Sequence, residues 1–317
     1  MTAARPFRFG TAAEGAVSRA AWGALARRAE ALGYASFLVP DHYTTEFPPI
    51  AALMAAADAA TTIRIGSFMF NNDLRHPAQL AKEAATLDLL SDGRFELGIG
   101  AGWHQADYEQ AGLAFASGGV RIERLAEAVA ILKRFFTQEA VTFAGTHYRL
   151  TGLEAVPKPL QRPYPPLFIG GGGQRVLTLA GREADIVGLH LKVNADETVD
   201  VSERTAAALE RKVAWVRQAA GERFAALELN VLVRAVVFTD DRQQAAEELA
   251  QTPFARLGAP SITPEALLAD PYWLMGTLDE VVEQVHALRE HYGISYLAVF
   301  PHDMETFAPV VARLAGK

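Results

Sequence analysis

No cysteine occurs among the 317 residues. That absence excludes a disulfide scaffold, a thiolate metal site, an iron–sulfur cluster and a cysteine nucleophile, and it fits a reducing compartment. No run of about 18 uninterrupted apolar residues exists, so no membrane-spanning helix is expected. Met1–Gly10 carries arginines but no apolar segment, and no signal peptide is expected there. Positive charge is the scarcer sign, with 30 Lys and Arg against 37 Asp and Glu and a net charge of −7. Broad electrostatic binding to nucleic acid or to an anionic membrane is therefore disfavoured. Neither H-E-x-x-H nor G-x-S-x-G is present, and His286 and His291 do not share a helix face. No metal and no serine hydrolase are indicated. Solenoid repeats and low-complexity tracts are also missing. What remains is a soluble, cytoplasmic, globular protein, 50% apolar and long enough to bury roughly three-quarters of its unfolded surface.

Short apolar runs alternate with longer amphipathic ones. Strands are expected at Phe7–Thr11, Ser36–Pro40, Ile63–Phe70, Arg94–Gly100, Leu167–Gly170, Asp185–Leu189, Leu227–Phe238 and Ile294–Phe300. Between them fall helices: Ser18–Leu32, Pro49–Ala60, a helix opened by Pro77, Arg121–Phe136, one from about Arg175, Ser202–Ala220, a short one near Arg242, a long one started by the Thr277/Glu280 capping box, and Thr306–Leu314. Val141–Phe143 and His147–Leu150 read as a small hairpin, Val156–Pro166 as a proline-rich excursion, and 252–276 as irregular. Eight strands, most apolar throughout rather than alternating, imply a parallel sheet covered on both faces. They close naturally into one (β/α)8 TIM barrel spanning 1–317, with insertions at the C-terminal face. An open doubly wound sheet is the alternative.

In such a barrel the active site lies at the strand C-termini. Those ends carry Asp41-His42, the apolar cluster Phe68-Met69-Phe70, Trp103-His104, Gly170–Gln174, His190 and His302. Four of the eight histidines fall there. Gly170–Gly173 follows a strand and opens a helix, where free amides and the helix dipole favour a phosphate. A tight turn would need only one or two of these glycines. Asp41-His42 is either a solvated pair at a loop start or a pair that orients and protonates a ligand. Trp103 is placed to line a pocket. Phe68, Met69 and Phe70 serve core packing or support a planar ring. Gly98–Gly102 lacks the third glycine of a dinucleotide fingerprint. Lys192 is the one lysine suitably placed for lyase chemistry, and no cluster of basic residues announces a sugar-phosphate substrate.

Three stretches carry a resemblance: FLVPDHYTTEF, RIGSFMFNNDLRHPAQLAKEAATLDLLSDGRFELGIGAGW and PPLFIGGGGQRVLTLAGREADIV. The chain resembles the luciferase-like flavin and deazaflavin oxidoreductases over almost its whole length, and the branch using coenzyme F420 more than the light-emitting flavin enzymes. The resemblance implies a homodimer with the cofactor ring at the barrel mouth, Asp41 and His42 flanking it, and His42 near the reacting face. It implies a non-proline cis peptide at Ser67–Phe68 behind the ring, with Phe70 nearby. Gly171, Gly172, Gly173 and Gln174 would hold the phosphate, and Ala101, Gly102 and Trp103 would border the ring. His190 and His302 would face a small-molecule substrate. One departure stands out: some members place a carboxylate just after the strand-four glycines, where this chain has Trp103 and then His104, so His42 or His104 would have to serve as the acid. The expected activity is hydride transfer between F420 and an organic substrate. The alternatives are an FMN-dependent monooxygenase and a non-catalytic flavin-binding protein.

Overall fold

A computed structural model describes residues 5–317 except 46, 195–197, 200 and 257–260. Eight strands form the central sheet: β1 (Arg8–Ala12), β2 (Ser36–Val39), β3 (Arg64–Ser67), β4 (Phe95–Gly100), β5 (Leu167–Gly171), β6 (Ile186–Leu189), β7 (Glu228–Leu232) and β8 (Ile294–Val299). Each pairs in parallel with its neighbours in chain order, and β8 returns to β1 through Arg8 opposite Tyr296. The sheet is thus a closed (β/α)8 barrel rather than an open doubly wound sheet. Helices α1 (Arg19–Ala31), α2 (Pro49–Ala59), α3 (Pro77–Leu90), α4 (Gly118–Thr137), α5 (Gln174–Glu183), α6 (Ala206–Ala220), α7 (Leu278–Tyr292) and α8 (Met304–Leu314) surround it. Among the described residues no helix is long and apolar enough to cross a membrane.

Local chemistry sets the element ends. Ser18 caps α1 by accepting from the Ala21 amide, and Pro77 opens α3 with its ring where no amide proton is needed. The Thr277–Glu280 capping box starts α7, and Gly293 stops it in the left-handed conformation (φ 76°). Glu30, near the end of α1, accepts from the backbone amides of Thr61, Thr62 and Ile63, which aims the chain into β3. Burial alone would raise the pKa of this carboxyl, but these amide bonds outweigh that and hold it down at about 2.

Four expectations need correction. Ile63–Phe70 is not one strand: β3 stops at Ser67, and Phe70–Asn71 re-enters the sheet beside β4. The non-proline cis bond is Phe68–Met69, one residue beyond the expected position. Ser67 stays in register opposite Val39, and its Oγ both donates to the Gly98 carbonyl (2.7 Å) and accepts from the Gly98 amide (3.0 Å), so the irregularity begins only after it. Leu227–Phe238 is likewise broken, because the chain leaves the barrel at Val233-Arg234 and Ala235–Phe238 pairs in parallel with Trp273–Gly276. The 252–276 stretch accordingly contains that strand and the helix Pro264–Leu268.

Two cores result. The larger lies between barrel and helices and runs from Phe7 to Leu314. The smaller fills the barrel with Leu38, Phe168, Ile186, Tyr296 and Ala298, with Phe68, Met69 and Leu232 packed against it. Beneath it, at the N-terminal end, Arg8 pairs with Glu96 and with Glu228 (2.7 Å), and Arg64 reaches Glu96 at 2.6 Å. The Arg8 guanidinium stacks 4.0 Å from the centre of the Tyr296 ring. Burial alone would raise the Glu96 carboxyl, but Arg8 and Arg64 hold it below the usual range. Removing one member of a buried ion network leaves its partners uncompensated. Glu96→Gln is therefore expected to cost about 3–5 kcal/mol in urea unfolding at pH 7. A loss below about 1 kcal/mol would show that the floor network behaves like a surface pair.

Candidate active site

The C-terminal mouth of the barrel gathers side chains from distant parts of the chain. His42 follows β2, and its Nδ1 lies 2.7 Å from Oδ2 of Asp107. Asp107 sits in the short helix Gln105–Gln110 that follows the β4 loop, and its other oxygen accepts from the Tyr43 amide at 3.0 Å. His104 caps that helix, with Nδ1 3.2 Å from the same Oδ2. Burial favours the neutral carboxyl of Asp107, but hydrogen bonds from His42, the Tyr43 amide and His104 more than offset this and hold it below the usual range. An ionised Asp107 keeps the proton of neutral His42 on Nδ1. The Nε2 of His42 makes no hydrogen bond among the described residues and is not enclosed. It is an available proton acceptor at the mouth.

Trp103 is 48% exposed and packs edge-on against His42, with ring centres 5.6 Å apart. Gly102 lets the chain turn there (φ 76°), and a methyl group on it would run into the Tyr108 hydroxyl and the Asn71 side chain. The His42, His104 and Asp107 ligand atoms lie within 4.8 Å of one another, close enough for one cation. The 2.7 Å His42–Asp107 contact is a hydrogen bond, however, and it engages two of the atoms that a cation would need. Asp107 does not stand out in the sequence, because it lies beyond the residue that directly follows the glycines. The carboxylate is present one helical turn beyond Trp103 and reaches back to His42.

Asp41 comes to the same end of β2 but is engaged elsewhere. Its side chain takes a two-pronged bond from Arg75 and a bond from the Asn71 amide at 2.9 Å. This ties the β3–α3 connection to β2, a positioning role. Ser67 is closed off by its two bonds to Gly98. Phe68 lies 5.6 Å from Phe168 and 5.3 Å from His190, ring centre to ring centre, on the barrel side. Phe70 is buried in the outer core under Arg75, at 4.8 Å, and so does not join Phe68 and Met69. His302 is exposed and stacks flat on Phe300. Ala101 is half-buried within the β4 loop.

The glycine loop fits an anion. Gly173 is the N-cap of α5 and offers no side chain to its first amides. A methyl group on Gly172 would strike the backbone of Leu191 and Lys192, whereas one on Gly173 would meet nothing within 4 Å. The loop is therefore closed behind Gly172 and open at Gly173, with Gln174 next to the free amides. A helix start of this kind suits a phosphate. A separate cleft of about 580 Å³ beside the mouth is lined by Tyr43, Asn72, Asp73, Arg75, Arg124 and Tyr148 among others.

A family model described as luciferase-like monooxygenase matches residues 3–295, and the chain belongs to that family. An FMNH2-dependent dimethylsulfone monooxygenase from Pseudomonas putida is 34% identical over 109 residues, which is 34% of this chain and 30% of that one. An F420-dependent glucose-6-phosphate dehydrogenase from Intrasporangium calvum is 33% identical over 168 residues, half of each chain. The chain thus spans half or less of the length of these curated relatives. The coenzyme F420-dependent tetrahydromethanopterin reductase from Methanopyrus kandleri shares the fold, with a TM-score of 0.78, 18% identity and 99% coverage of both chains.

His190 yields a pH prediction. Burial, reinforced by the positive charges of Lys212 and Arg234, pushes its ring down to about 4. In the unfolded chain a histidine titrates near 6.5, so on acidification the unfolded state takes up this proton first. Stability from this group is complete above pH 6.5 and is lost as the pH falls towards 4. Because the ring is only half-buried, the loss is on the order of 1–2 kcal/mol. Urea unfolding at pH 7 and 4.5 should show His190→Leu escaping that part of the decline. Equal declines in both proteins would mean that His190 is not held neutral.

Proposed function

We propose that this member of the luciferase-like monooxygenase family is an F420-dependent oxidoreductase acting on a small organic alcohol or the matching carbonyl compound. The observation that carries this is the His42–Asp107 pair, a histidine whose inner nitrogen is fixed by a buried carboxylate and whose outer nitrogen is open at the mouth. Hydride transfer to or from a carbon bearing oxygen requires a proton to leave or reach that oxygen, and such a histidine can move it.

When bound, the deazaflavin supplies hydride acceptance and donation; the protein supplies position and charge. Gly171, Gly172, Gly173 and Gln174 would hold its phosphate at the start of α5. Phe68, seated on Phe168 and His190, offers an apolar face towards the mouth. Nε2 of His42 takes the proton from a substrate hydroxyl, and in the opposite direction the imidazolium returns it to a carbonyl oxygen. Asp107 holds the ring in one tautomer and stabilises its charged form. Trp103 covers His42 at the rim. Asp41 acts only through Arg75 and Asn71, by holding the β3–α3 connection. Dimerisation in solution belongs to the same proposal.

An FMN-dependent monooxygenase would share the barrel and the phosphate loop. Titrating the purified protein with F420 and, separately, with FMN, followed by ligand fluorescence, decides between them. Tight F420 binding with weak FMN binding is expected; the reverse would replace this proposal with the monooxygenase one. In the F420-loaded enzyme, His42→Gln should lower kcat on the order of 10²–10⁴-fold with little change in cofactor affinity. Asp107→Asn should fall in the same direction, about 10-fold or more, because Nδ1 loses its charged partner. Unchanged turnover in both variants would remove the pair from the chemistry.

A further inference from the structure

The barrel mouth holds a second polar group on the side opposite the glycine-rich β4 loop. Arg204, which precedes α6, pairs with Asp270 at 2.6 Å and donates to the Ala255 carbonyl at 2.6 Å, and both partners of that ion pair are almost wholly enclosed. Lys212, on α6 and fully buried, pairs with Glu203 at 2.9 Å, while half-exposed Arg211 approaches Glu203 from the solvent side. Arg234 stands where the chain leaves β7. Its guanidinium lies 4.9 Å from the ring of Phe300, the residue after β8, and its amide donates to the Tyr272 carbonyl at 2.7 Å.

Among the described residues Arg204 and Lys212 each have a carboxylate, and Arg234 has none within ion-pair distance. Its Nε is buried without a hydrogen-bond partner, as are Nη2 of Arg204, the Tyr272 hydroxyl and Nε2 of His190. His190 belongs to the same place: it follows β6, packs against Phe68, and feels the charges of both Lys212 and Arg234. Its ring occupies the space that side chains on Gly170 and Gly188 would fill, so two strands have been cleared to seat it. Buried donors are ordinarily satisfied, and an uncompensated buried cation is costly, so a group of them at the mouth is built for something that brings acceptors and one negative charge.

We propose that Arg234, with His190 beside it, is the binding site for a carboxylate on the substrate. This rests on the proposed function, since it makes the mouth the substrate side of an oxidoreductase. Arg204 and Arg234 share the single charge of Asp270, which leaves one positive charge over; that matches a singly charged, planar oxyacid through two parallel hydrogen bonds, whereas a dianionic phosphate would find half its charge unmet. The glycine loop already provides for phosphate. The substrate is then a hydroxy acid or keto acid, whose carboxylate anchors it while His42 serves the reacting oxygen. The group is not legible in the sequence, because Arg204, Lys212 and Arg234 are spread along the chain and Arg234 lies within a stretch, Leu227–Phe238, that has the pattern of a continuous strand.

The test uses simple monocarboxylates, propionate and benzoate, each against its amide, with the full-length protein free of added cofactor and again with F420. Isothermal titration should show both acids binding and neither amide binding. Arg234→Met should weaken the acids by about tenfold or more, and should raise Tm without ligand by about 2–4 °C because the uncompensated charge is gone. Arg234→Gln repeats the measurement if the Met variant does not fold. Acids that bind both variants as well as wild type, or that bind none of the forms, overturn the proposal. So does a loss of F420 affinity in Arg234→Met with no acid binding to wild type, which would assign the site to a carboxylate of the cofactor. Because acid binding is read without cofactor, failure of the F420 assignment leaves this test intact.

Discussion

The arrangement of the mouth depends on how closely β3 can approach β4. At Gly98 the two strands come so near that any side chain there would collide with the Ser67 carbonyl oxygen, and in the room this leaves the Ser67 hydroxyl exchanges two hydrogen bonds with the Gly98 backbone. Everything beyond Ser67 follows from that clasp. The chain can no longer continue as a strand, so Phe68 and Met69 turn onto the barrel core while Phe70 drops into the outer core. Asn71 then arrives where its amide meets Asp41 and its side chain meets the Tyr108 hydroxyl. Tyr108 is the neighbour of Asp107, so the same clasp bears on where the partner of His42 stands.

Charge is treated differently at the two ends of the barrel. At the floor, Arg8 pairs with Glu96 and Glu228 and Arg64 with Glu96, and cation and anion numbers balance in a layer under Tyr296. At the mouth the balance is broken twice. His42 has a buried carboxylate on one side and an open nitrogen on the other. Arg234 has an aromatic face and, among the described residues, no carboxylate within ion-pair distance, and it shares the charge of Asp270 with Arg204. A balanced network holds strands together; an unbalanced one stores a preference for a ligand. That contrast, and not the size of any cleft, separates the structural end of this barrel from the working end.

Much of the architecture was legible in the sequence because helix and strand periodicities are local. Trp22, Leu25, Ala29 and Leu32 recur at helical spacing, Pro77 and the Thr277–Glu280 box mark helix starts, and Ile294–Phe300 is apolar without alternation. The errors came where local pattern and pairing disagree. Ile63–Phe70 and Leu227–Phe238 look like single long strands, yet each is interrupted where the barrel needs its chain elsewhere. His42, Trp103, His104 and the glycine loop stand out in the sequence because they lie at strand ends. Asp107 and Arg234 do not, since the contacts that single them out are long-range, Asp107 with His42 and Arg234 with Phe300 and Tyr272.

The amino-acid sequence by itself determined the strand–helix alternation, the barrel it closes into, and the family, through short motifs whose residues are neighbours in the chain. The tertiary structure alone decided which carboxylate lies against His42, that Asp41 is engaged by Arg75, that Phe70 faces outward, and that the charges of Lys212 and Arg234 reach His190. The physical reason is range. Backbone conformation and amphipathic spacing act over a few residues and can be read in a line, whereas ion pairing, burial and the emptiness beside a glycine are set by whatever the closed barrel brings within a few ångströms.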